Sequence, residues 1–405
     1  MYSIFKSFSV ELKFYLLMNA CFSFGGALSG VFQSVFLWKM DKSYSLLAYY
    51  SLYWSLAIIM CFGICAWLAR KTSPMITMRL GFIFYLIAYL IMLIFHNTLR
   101  DHIILLGFSN GLAMSFYYVG VHMAVLDLTT NDNRDQFLYI EGILFTIGGV
   151  IAPLLSGILI SQFHGMIGYY VVFTTTCLFF LISFLISLKV KGHPVTTKSY
   201  FFDVLKNPSK EWKKMYAVMF ADGIVSGVYA TFLITMMTFK VAGGEFTLGV
   251  YNTAAEIVAI IAFYVLAKFS NPKYRVTIFA IGSVCIFLSS VLLSALPVFI
   301  SLIIFGIVSP VGMNMINTSM NAMIYESIEK DPLYKEKRLD YIIIREIPLG
   351  IGRIIGVFIF LSMKKYFNIE QLLPLSFGFF PIVYVLMIPT LYVIWRKSPL
   401  SSRLY

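Results

Sequence analysis

The chain has 405 residues, of which 60% are hydrophobic and only 12% are charged. Average soluble domains carry about twice this charged fraction, so a soluble fold could not bury so much apolar surface and the excess must face lipid. The net charge of +12 would indicate nucleic acid in a soluble chain, but here the basic residues lie between apolar segments. That arrangement favours an anionic membrane surface and excludes nucleic acid as the expected partner.

Apolar segments of about 20 residues, the length that crosses a bilayer as a helix, recur along the whole chain. They must be helical because lipid offers no hydrogen-bond partner to free backbone groups. The sequence predicts twelve spans: Phe14–Met40, Leu46–Leu68, Ile76–Phe95, Ile103–Leu126, Phe137–Phe163, Gly168–Leu188, Tyr216–Phe239, Thr247–Phe269, Val276–Leu296, Val298–Tyr325, Tyr341–Met363 and Leu372–Trp395.

The longest polar stretch inside the chain, Lys189–Lys214, follows the sixth span and contains a possible short interfacial helix at Ser199–Leu205. With the N-terminus placed inside, the inner segments hold roughly four times as many Lys and Arg residues as the outer loops, which predicts that both termini are cytoplasmic. The N-terminal segment lacks a signal-peptide pattern, so we expect the first span to stay in the mature protein. The five cysteines all fall in apolar segments and are expected to be ordinary buried residues.

The two halves of the sequence resemble each other at nearly constant spacing, which indicates a duplicated six-helix unit. Ser29-Gly30-Val31-Phe32 matches Ser226-Gly227-Val228-Tyr229. Ile147-Gly148 followed by Val150-Ile151 matches Ile351-Gly352 followed by Ile354-Ile355, and Leu68-Ala69-Arg70 with Pro74 matches Leu266-Ala267-Lys268 with Pro272.

Two parallel six-helix halves joined by a cytoplasmic loop resemble the major facilitator superfamily of transporters. The resemblance implies an all-α membrane protein of twelve transmembrane helices in two pseudo-symmetric bundles, here residues 1–190 and 215–405, with a cytoplasmic linker at 191–214. It also implies a secondary transporter that binds a small-molecule substrate at mid-membrane. Such a transporter works by alternating access as a monomer.

The fifth span carries a pattern similar to that family's antiporter signature, which is associated with export. Small residues let such a helix approach a neighbour closely, and a proline bends it. The residues are Gly148, Ala152, Pro153, Ser156 and Gly157. The family's signature in the loop after the second span is only partly present. The stretch Ala66–Pro74 keeps Leu68, Ala69 and a basic residue but lacks the acidic residue of the signature.

Ionisable residues deep inside a span are expensive and are therefore candidates for function. Glu256 lies ~15 Å into the eighth span and Arg353 lies at similar depth in the eleventh. They form either a proton-coupling pair or a fixed structural ion pair. Asp222, in the seventh span, is a second titrating candidate or a solvated residue. His122 is either a pH switch or a satisfied histidine.

A further group of charged residues lies close to the cytoplasmic ends of the spans and is expected to form ion pairs at an inner gate. The group comprises Asp127, Arg134, Glu141, Arg345 and Glu346.

Uncharged polar residues follow one face of the first, fourth and tenth spans at helical spacing. They either bind a substrate or hold helices together, because each buried amide needs a partner. The candidates are Asn19 and Gln33 on the first span, Tyr118 with His122 on the fourth, and Asn314, Asn317 and Asn321 on the tenth.

The sequence thus predicts a proton-coupled exporter of a small or amphiphilic molecule in the cell membrane of a bacterium, with membrane lipids as surroundings. A lipid flippase and a non-transporting sensor or assembly protein on the same fold stay open as alternatives. No nucleophile–base pair, metal-binding motif or P-loop is present, so we expect neither an enzyme, nor a cofactor, nor a metal site.

Overall fold

The protein is mainly helical across residues 8–128, 134–192, 198–269 and 272–396, which are the residues that the computed structural model describes, and no β-strand occurs within them. The helices are α1 (Val10–Asp41), α2 (Tyr44–Lys71), α3 (Pro74–Ile94), α4 (Ile103–Leu128), α5 (Arg134–Gln162), α6 (Ile167–Ser187), α7 (Phe201–Lys206), α8 (Lys210–Ala242), α9 (Glu245–Phe269), α10 (Arg275–Ala295), α11 (Phe299–Glu329), α12 (Tyr334–Ile344), α13 (Glu346–Met363), α14 (Ile369–Phe379) and α15 (Ile382–Arg396).

Eleven of the described segments are long and apolar enough to cross a membrane, with α14 and α15 counted together as Ile369–Ile394. The remaining predicted span corresponds to α13, an apolar helix of 18 residues. Its predicted start at Tyr341 is wrong. The chain turns at Arg345, and Tyr341 belongs to α12, where its hydroxyl donates a 2.7 Å hydrogen bond to Asp331. The all-α membrane fold is confirmed.

Serine side chains fix where several helices begin. Ser9, Ser43, Ser73 and Ser209 each accept a hydrogen bond from a backbone N–H in the first turn of α1, α2, α3 and α8. These N–H groups have no partner inside the helix, so a capping oxygen satisfies them. The polar caps therefore mark the edges of apolar segments whose composition alone leaves the boundaries open.

The chain forms two compact units. Unit 1 comprises Met1–Ser199 and Gly244–Thr253, and unit 2 comprises Tyr200–Gly243 and Ala254–Tyr405. The predicted linker 191–214 is thus divided at Ser199. The segment Gly244–Thr253, which contains the start of α9, packs with unit 1, although α8 immediately before it belongs to unit 2.

Large apolar side chains are exposed along the helices of both units, as expected for surfaces that face lipid. In α9, Ile257, Ile261, Phe263 and Tyr264 are all exposed. Contiguous apolar surface of this kind is rare on soluble monomers. It explains why composition alone indicates a membrane protein.

The short helix α7 is anchored to α12 within unit 2 by charged and polar contacts. Lys337 forms ion pairs with Asp203 at 2.8 Å and with Asp331 at 3.4 Å. The Tyr200 hydroxyl donates to Glu336 at 2.6 Å, and its backbone N–H donates to Asp340 at 3.1 Å. The helix predicted at Ser199–Leu205 is therefore present at Phe201–Lys206, and it is held by a neighbouring helix.

These contacts shift the titration of the groups that make them. The hydrogen bond from Lys337 lowers the pKa of Asp203, and the hydrogen bond to Asp203 raises the pKa of Lys337. Burial opposes ionisation of Asp331, but the Tyr341 hydroxyl, the Leu333 N–H and Lys337 outweigh it and lower its pKa. The anchor is therefore complete above the ordinary aspartate pKa of about 3.9 and is lost as pH falls through the lowered values.

Replacing Lys337 by methionine should release α7 because both aspartates lose their counter-charge. We expect amide hydrogen-exchange protection of residues 201–206 to fall by a few-fold, the range typical of exposed ion pairs. The same loss should appear in the unaltered protein as pH drops below about 3.9. Lys206→Met, an exposed lysine in α7 itself, is the matched control and should leave protection unchanged. Equal protection in the two variants would contradict the anchor.

Glycines bring α8 and α13 into direct backbone contact. A Cβ at Gly227 would lie 2.6 Å from Arg353 Cα, and a Cβ at Gly223 or Gly356 would overlap a carbonyl oxygen of the facing helix. Gly352 faces the Phe220 carbonyl in the same way. Two glycines four residues apart on each helix make a small-residue seam, the arrangement that allows close packing in lipid. We refer to these four glycines as the glycine seam.

Gly352→Ala should destabilise the protein because its new methyl group would overlap the Phe220 carbonyl. Overpacking of this kind costs about 1–3 kcal/mol. Gly63→Ala is the matched control: its Cβ would meet nothing within 4 Å, and removing a helix glycine stabilises by about 0.5–1 kcal/mol. The midpoint of thermal unfolding in one detergent should therefore fall for Gly352→Ala and hold or rise for Gly63→Ala. Matching midpoints would show that the seam tolerates a side chain.

Candidate functional site

A buried carboxyl group in unit 1 is held by neutral polar side chains. Asn19 on α1 donates from Nδ2 to Glu141 Oε1 on α5 at 3.0 Å, and the Tyr117 hydroxyl on α4 donates to Asn19 Oδ1 at 3.2 Å. Asn19 is 0% exposed and Glu141 is 9% exposed. The structure therefore places Asn19 as a link between three helices. Glu141 is buried and bonded to an amide.

The face of α1 that follows Asn19 changes character along the helix. Gly26 and Gly30 have open space where a side chain would be. Beyond them, Ser29 and Tyr89 share a 2.5 Å hydrogen bond, and the Tyr89 hydroxyl approaches Gln33 Oε1 at 3.5 Å. This part of the predicted polar face is thus lined by small residues and neutral hydrogen-bonding groups.

In unit 2, Asp222 on α8 accepts a 3.0 Å hydrogen bond from the Tyr384 hydroxyl on α15. It also lies close enough to Arg353, Glu346 and Arg345 to interact with their charges. The helix widens into a π-helical segment, Ser226–Leu233, just beyond Asp222. Such segments occur frequently at functional sites because they break the regular hydrogen-bond ladder.

Arg353 is buried beside the glycine seam and pairs with Glu346, about two turns earlier on α13. Its Nη1 donates to Glu346 Oε2 at 3.2 Å, and Arg345 Nε reaches Glu346 Oε1 at 3.4 Å. The expected partner Glu256 is exposed and forms no ion pair with any described residue. The structure therefore assigns Arg353 to a fixed pair with Glu346, and it does not bring Arg353 and Glu256 together as an ion pair.

The three asparagines of α11 divide into two environments. Asn314 is buried, and its Nδ2 donates to the Ala259 carbonyl of α9 at 3.0 Å. Asn317 and Asn321 are exposed on unit 2. Asn314 thus joins two helices, whereas the other two keep their amides available to whatever lies against this face.

The small residues of α5 pack against the segment 244–253, all within unit 1. A Cβ at Gly157 would lie 2.9 Å from the Glu245 carbonyl, and a Cβ at Gly249 would lie 2.6 Å from the Pro153 carbonyl. Ala152 and Ser156 are fully buried, whereas Gly148 faces Phe24 at an ordinary 3.6 Å. The residues of the predicted signature therefore do allow a close helix approach, and they do so at its C-terminal end.

The side chains of two predicted inner-gate residues, Asp127 and Arg134, lie outside the described part of the structure. His122 is partly buried and Tyr118 is exposed, with the Tyr118 ring 5.3 Å from that of Tyr117. Within the described part of the chain, no group of three or more His, Cys, Asp or Glu side chains is arranged to hold a metal ion.

Several partners in these clusters were not predicted from sequence. Tyr117 and Tyr384 are two of 26 tyrosines and carry no distinguishing pattern. At the start of α9, Glu245 pairs with Lys39 and accepts a 2.9 Å hydrogen bond from Tyr169. The glycine seam could have been predicted from the sequence, because Gly223 and Gly227, like Gly352 and Gly356, are spaced four residues apart.

Comparison with known families decides the class. The family model described as Major Facilitator Superfamily matches residues 77–333. The chain belongs to the major facilitator superfamily. Family membership makes it a multi-pass membrane transporter, as the sequence predicted.

Two relatives match different shares of the chain. YqgE of Bacillus subtilis (strain 168) is 26% identical over 367 residues, which cover 90% of this chain and 85% of that protein. The TsgA homolog of Buchnera aphidicola is 28% identical over 151 residues, 37% of this chain and 36% of that protein.

Solved structures share the fold. A bacterial homologue of the iron transporter ferroportin, in its inward-facing state, superposes with a TM-score of 0.66 at 12% identity over 94% of this chain and 99% of its own. A bacterial homologue of the human drug peptide transporters PepT1 and PepT2 gives 0.70 at 13% identity over 98% and 99%. At these identities the likeness concerns the fold alone.

Replacing Arg353 by methionine should be strongly destabilising because it leaves Glu346 buried near Asp222 with less positive charge to balance it. Breaking a buried ion pair from one side costs about 3–5 kcal/mol. The double variant Arg353→Met with Glu346→Gln should recover most of that loss, since it removes the stranded charge. Arg345→Met, at a more exposed neighbour of Glu346, is the control and should cost less. Thermal unfolding of the four proteins tests this, and a double variant no more stable than Arg353→Met would refute it.

Proposed function

We propose that this transporter exports a small or amphiphilic molecule across the cytoplasmic membrane of a bacterium, with both termini in the cytoplasm, in exchange for protons and by alternating access. The observation that carries the proposal is the state of three intramembrane carboxyl groups. Glu141, Asp222 and Glu256 form no ion pair with any described residue, whereas Glu245, Glu326 and Glu346 are ion-paired.

A carboxylate outside an ion pair is costly in an apolar surrounding, so such a group can exist as the neutral acid there and release its proton where water enters. The partners of two of the groups suit this exchange. The Asn19 amide and the Tyr384 hydroxyl are neutral donors. Both can bond the carboxyl group in either protonation state.

Glu256 supports the proposal from a different position. It lies eleven residues into α9, ~16 Å along the helix and so close to mid-membrane, and it is exposed on unit 2. The exposed Asn317 and Asn321 lie in the same unit. Exposed carboxyl and amide groups on unit 2 suit a substrate with a cationic or hydrogen-bonding group.

The family and the motif support the proposed energy source and the proposed direction of transport. The sequence has no ATP-binding motif, so a gradient must drive transport, and one proton charge is worth ~2.3 kcal/mol per 100 mV. Export is supported by the exporter-like signature on α5, whose Gly157 packs closely on the segment at Gly249. Iron and peptides are named for the two structural neighbours, and identities of 12% and 13% give no reason to transfer either substrate.

The test is substrate-driven proton movement in proteoliposomes, measured with an internal pH dye against a panel of cationic amphiphiles. We expect proton movement with the unaltered protein and its loss, by tenfold or more, in at least one of Glu141→Gln, Asp222→Asn and Glu256→Gln. Glu370→Gln, which changes an exposed carboxyl group near a helix start, is the control. Transport that does not depend on the pH gradient, in the unaltered protein and in every variant, would contradict the coupling proposal. Translocation of a labelled lipid in place of the panel would instead favour a flippase.

A further inference from the structure

The short helix α7 keeps two large apolar side chains exposed. Phe202 is 71% exposed and Leu205 is 40% exposed. Because the two residues are three positions apart, they lie on one side of the helix. Val204, on the other side, is 1% exposed, and Asp203 pairs with Lys337 of α12 at 2.8 Å. The helix is therefore fixed within unit 2 and presents an apolar side away from that attachment.

Exposed lysines flank these apolar side chains. Lys206 is four positions after Phe202 and shares its side of α7. Lys210 and Lys213 follow in the first turn of α8, and both are exposed. These three lysines form no ion pair with a described residue. We refer to Phe202, Leu205, Lys206, Lys210 and Lys213 as the α7 surface.

The acidic residues of the same segment do not cancel this charge. Between residues 198 and 214 they are Asp203 and Glu211. Asp203 pairs with Lys337, and Glu211 pairs with Lys214 at 3.1 Å. Each acid is thus already balanced by a lysine outside the α7 surface, so the charge that the surface presents is positive.

The chain connection holds the α7 surface close to the level of the lipid headgroups. α8 has 33 residues, so it is ~50 Å long and projects from a hydrocarbon core that is ~30 Å thick. The predicted span begins at Tyr216, which places Lys213 ~5 Å and Lys210 ~9 Å outside the core. The headgroup layer on each side is ~5–8 Å deep. α7 ends at Lys206, and the link from there to Lys210 spans at most ~14 Å.

Two apolar side chains beside three lysines fit a bilayer surface better than a protein partner. A specific protein interface takes about 20–30 residues a side. At a bilayer, by contrast, a few apolar side chains enter the boundary between headgroups and acyl chains, while lysines contact anionic phosphates. Lysine suits this place because its apolar stem lies along the acyl boundary while its ammonium group stays among the headgroups.

We propose that the α7 surface binds anionic lipid. Its two apolar side chains enter the bilayer surface, and its three lysines contact lipid phosphates such as those of phosphatidylglycerol. The inference goes beyond the proposed function, because it concerns neither the substrate nor proton exchange and stands if either of those fails. Since Lys337 joins α7 to α12, bound lipid also holds α12 against the membrane.

The test places the whole chain in lipid nanodiscs of phosphatidylcholine, either alone or with about 30% of the anionic phosphatidylglycerol. Amide hydrogen exchange of residues 201–206 measures how firmly α7 is held. We expect protection to be about fivefold higher or more with phosphatidylglycerol, since one lysine near an anionic surface is worth about fivefold in binding. Salt at about 0.5 M should remove most of this increase because it screens the lysines from the phosphates.

Two variants separate the charges from the apolar side chains. The triple variant Lys206→Gln, Lys210→Gln and Lys213→Gln should lose the increase. In phosphatidylcholine alone, which has no net charge, it should match the unaltered protein, as expected above for Lys206→Met. Phe202→Ser should lower protection in both lipids because α7 loses its inserted ring.

Matched controls lie elsewhere in unit 2. Lys240, Lys364 and Lys365 are exposed lysines that the charge pattern predicts on the opposite side of the membrane. Replacing all three by glutamine should keep the increase with phosphatidylglycerol. Phe299→Ser, at a phenylalanine that is 58% exposed, should leave the protection of residues 201–206 unchanged.

Three results would overturn the proposal. Equal protection in the two lipids would show that anionic headgroups are not bound. An increase that survives in the triple variant of the α7 surface would assign lipid binding to other residues. Protection that Phe202→Ser leaves unchanged in both lipids would show that the apolar side chains do not enter the bilayer.

Discussion

Polar groups inside a bilayer must find their partners within the protein, and this constraint orders the interior of both units. In unit 2, Arg353 and Glu346 satisfy this constraint by forming a fixed ion pair. The pair lies beside the close contact of α8 and α13. The contact is possible because the four positions of the glycine seam have no side chain to separate the helices. A larger residue in the seam would separate the helix that carries Asp222 from the helix that carries the arginine.

The two units meet the same constraint with different chemistry, although their sequences share a repeat. Gly30 and Gly227 are equivalent in that repeat, yet Gly30 faces open space and Gly227 lies against Arg353. Unit 1 buries its carboxyl group Glu141 against the Asn19 amide, whose oxygen accepts a hydrogen bond from Tyr117. Unit 2 buries its charge in pairs. The units therefore differ in how they hold a buried charge, with a neutral amide against the carboxyl group in unit 1 and an ion pair in unit 2.

Much of the fold could be predicted because the length of the apolar segments reports directly on contact with lipid. The helices and the small-residue pattern of α5 follow from that pattern. The candidate site was predicted only as a set of residues. Periodicity places Asn19 and Gln33 on one face of α1, but it does not show that Asn19 is sealed against Glu141 while Gln33 lies beside Tyr89.

The sequence by itself determined that this is a membrane transporter of helices in duplicated halves, because composition, repeat spacing and family pattern are properties of the chain alone. Only the tertiary structure decided which charges meet. Arg353 has two carboxyl candidates at plausible depth, and packing across the glycine seam and along α13 gives it Glu346 while Glu256 stays exposed. Helix rotation and contact between helices distant in sequence set such choices, and a few ångströms decide whether a buried charge is paired or free to exchange a proton.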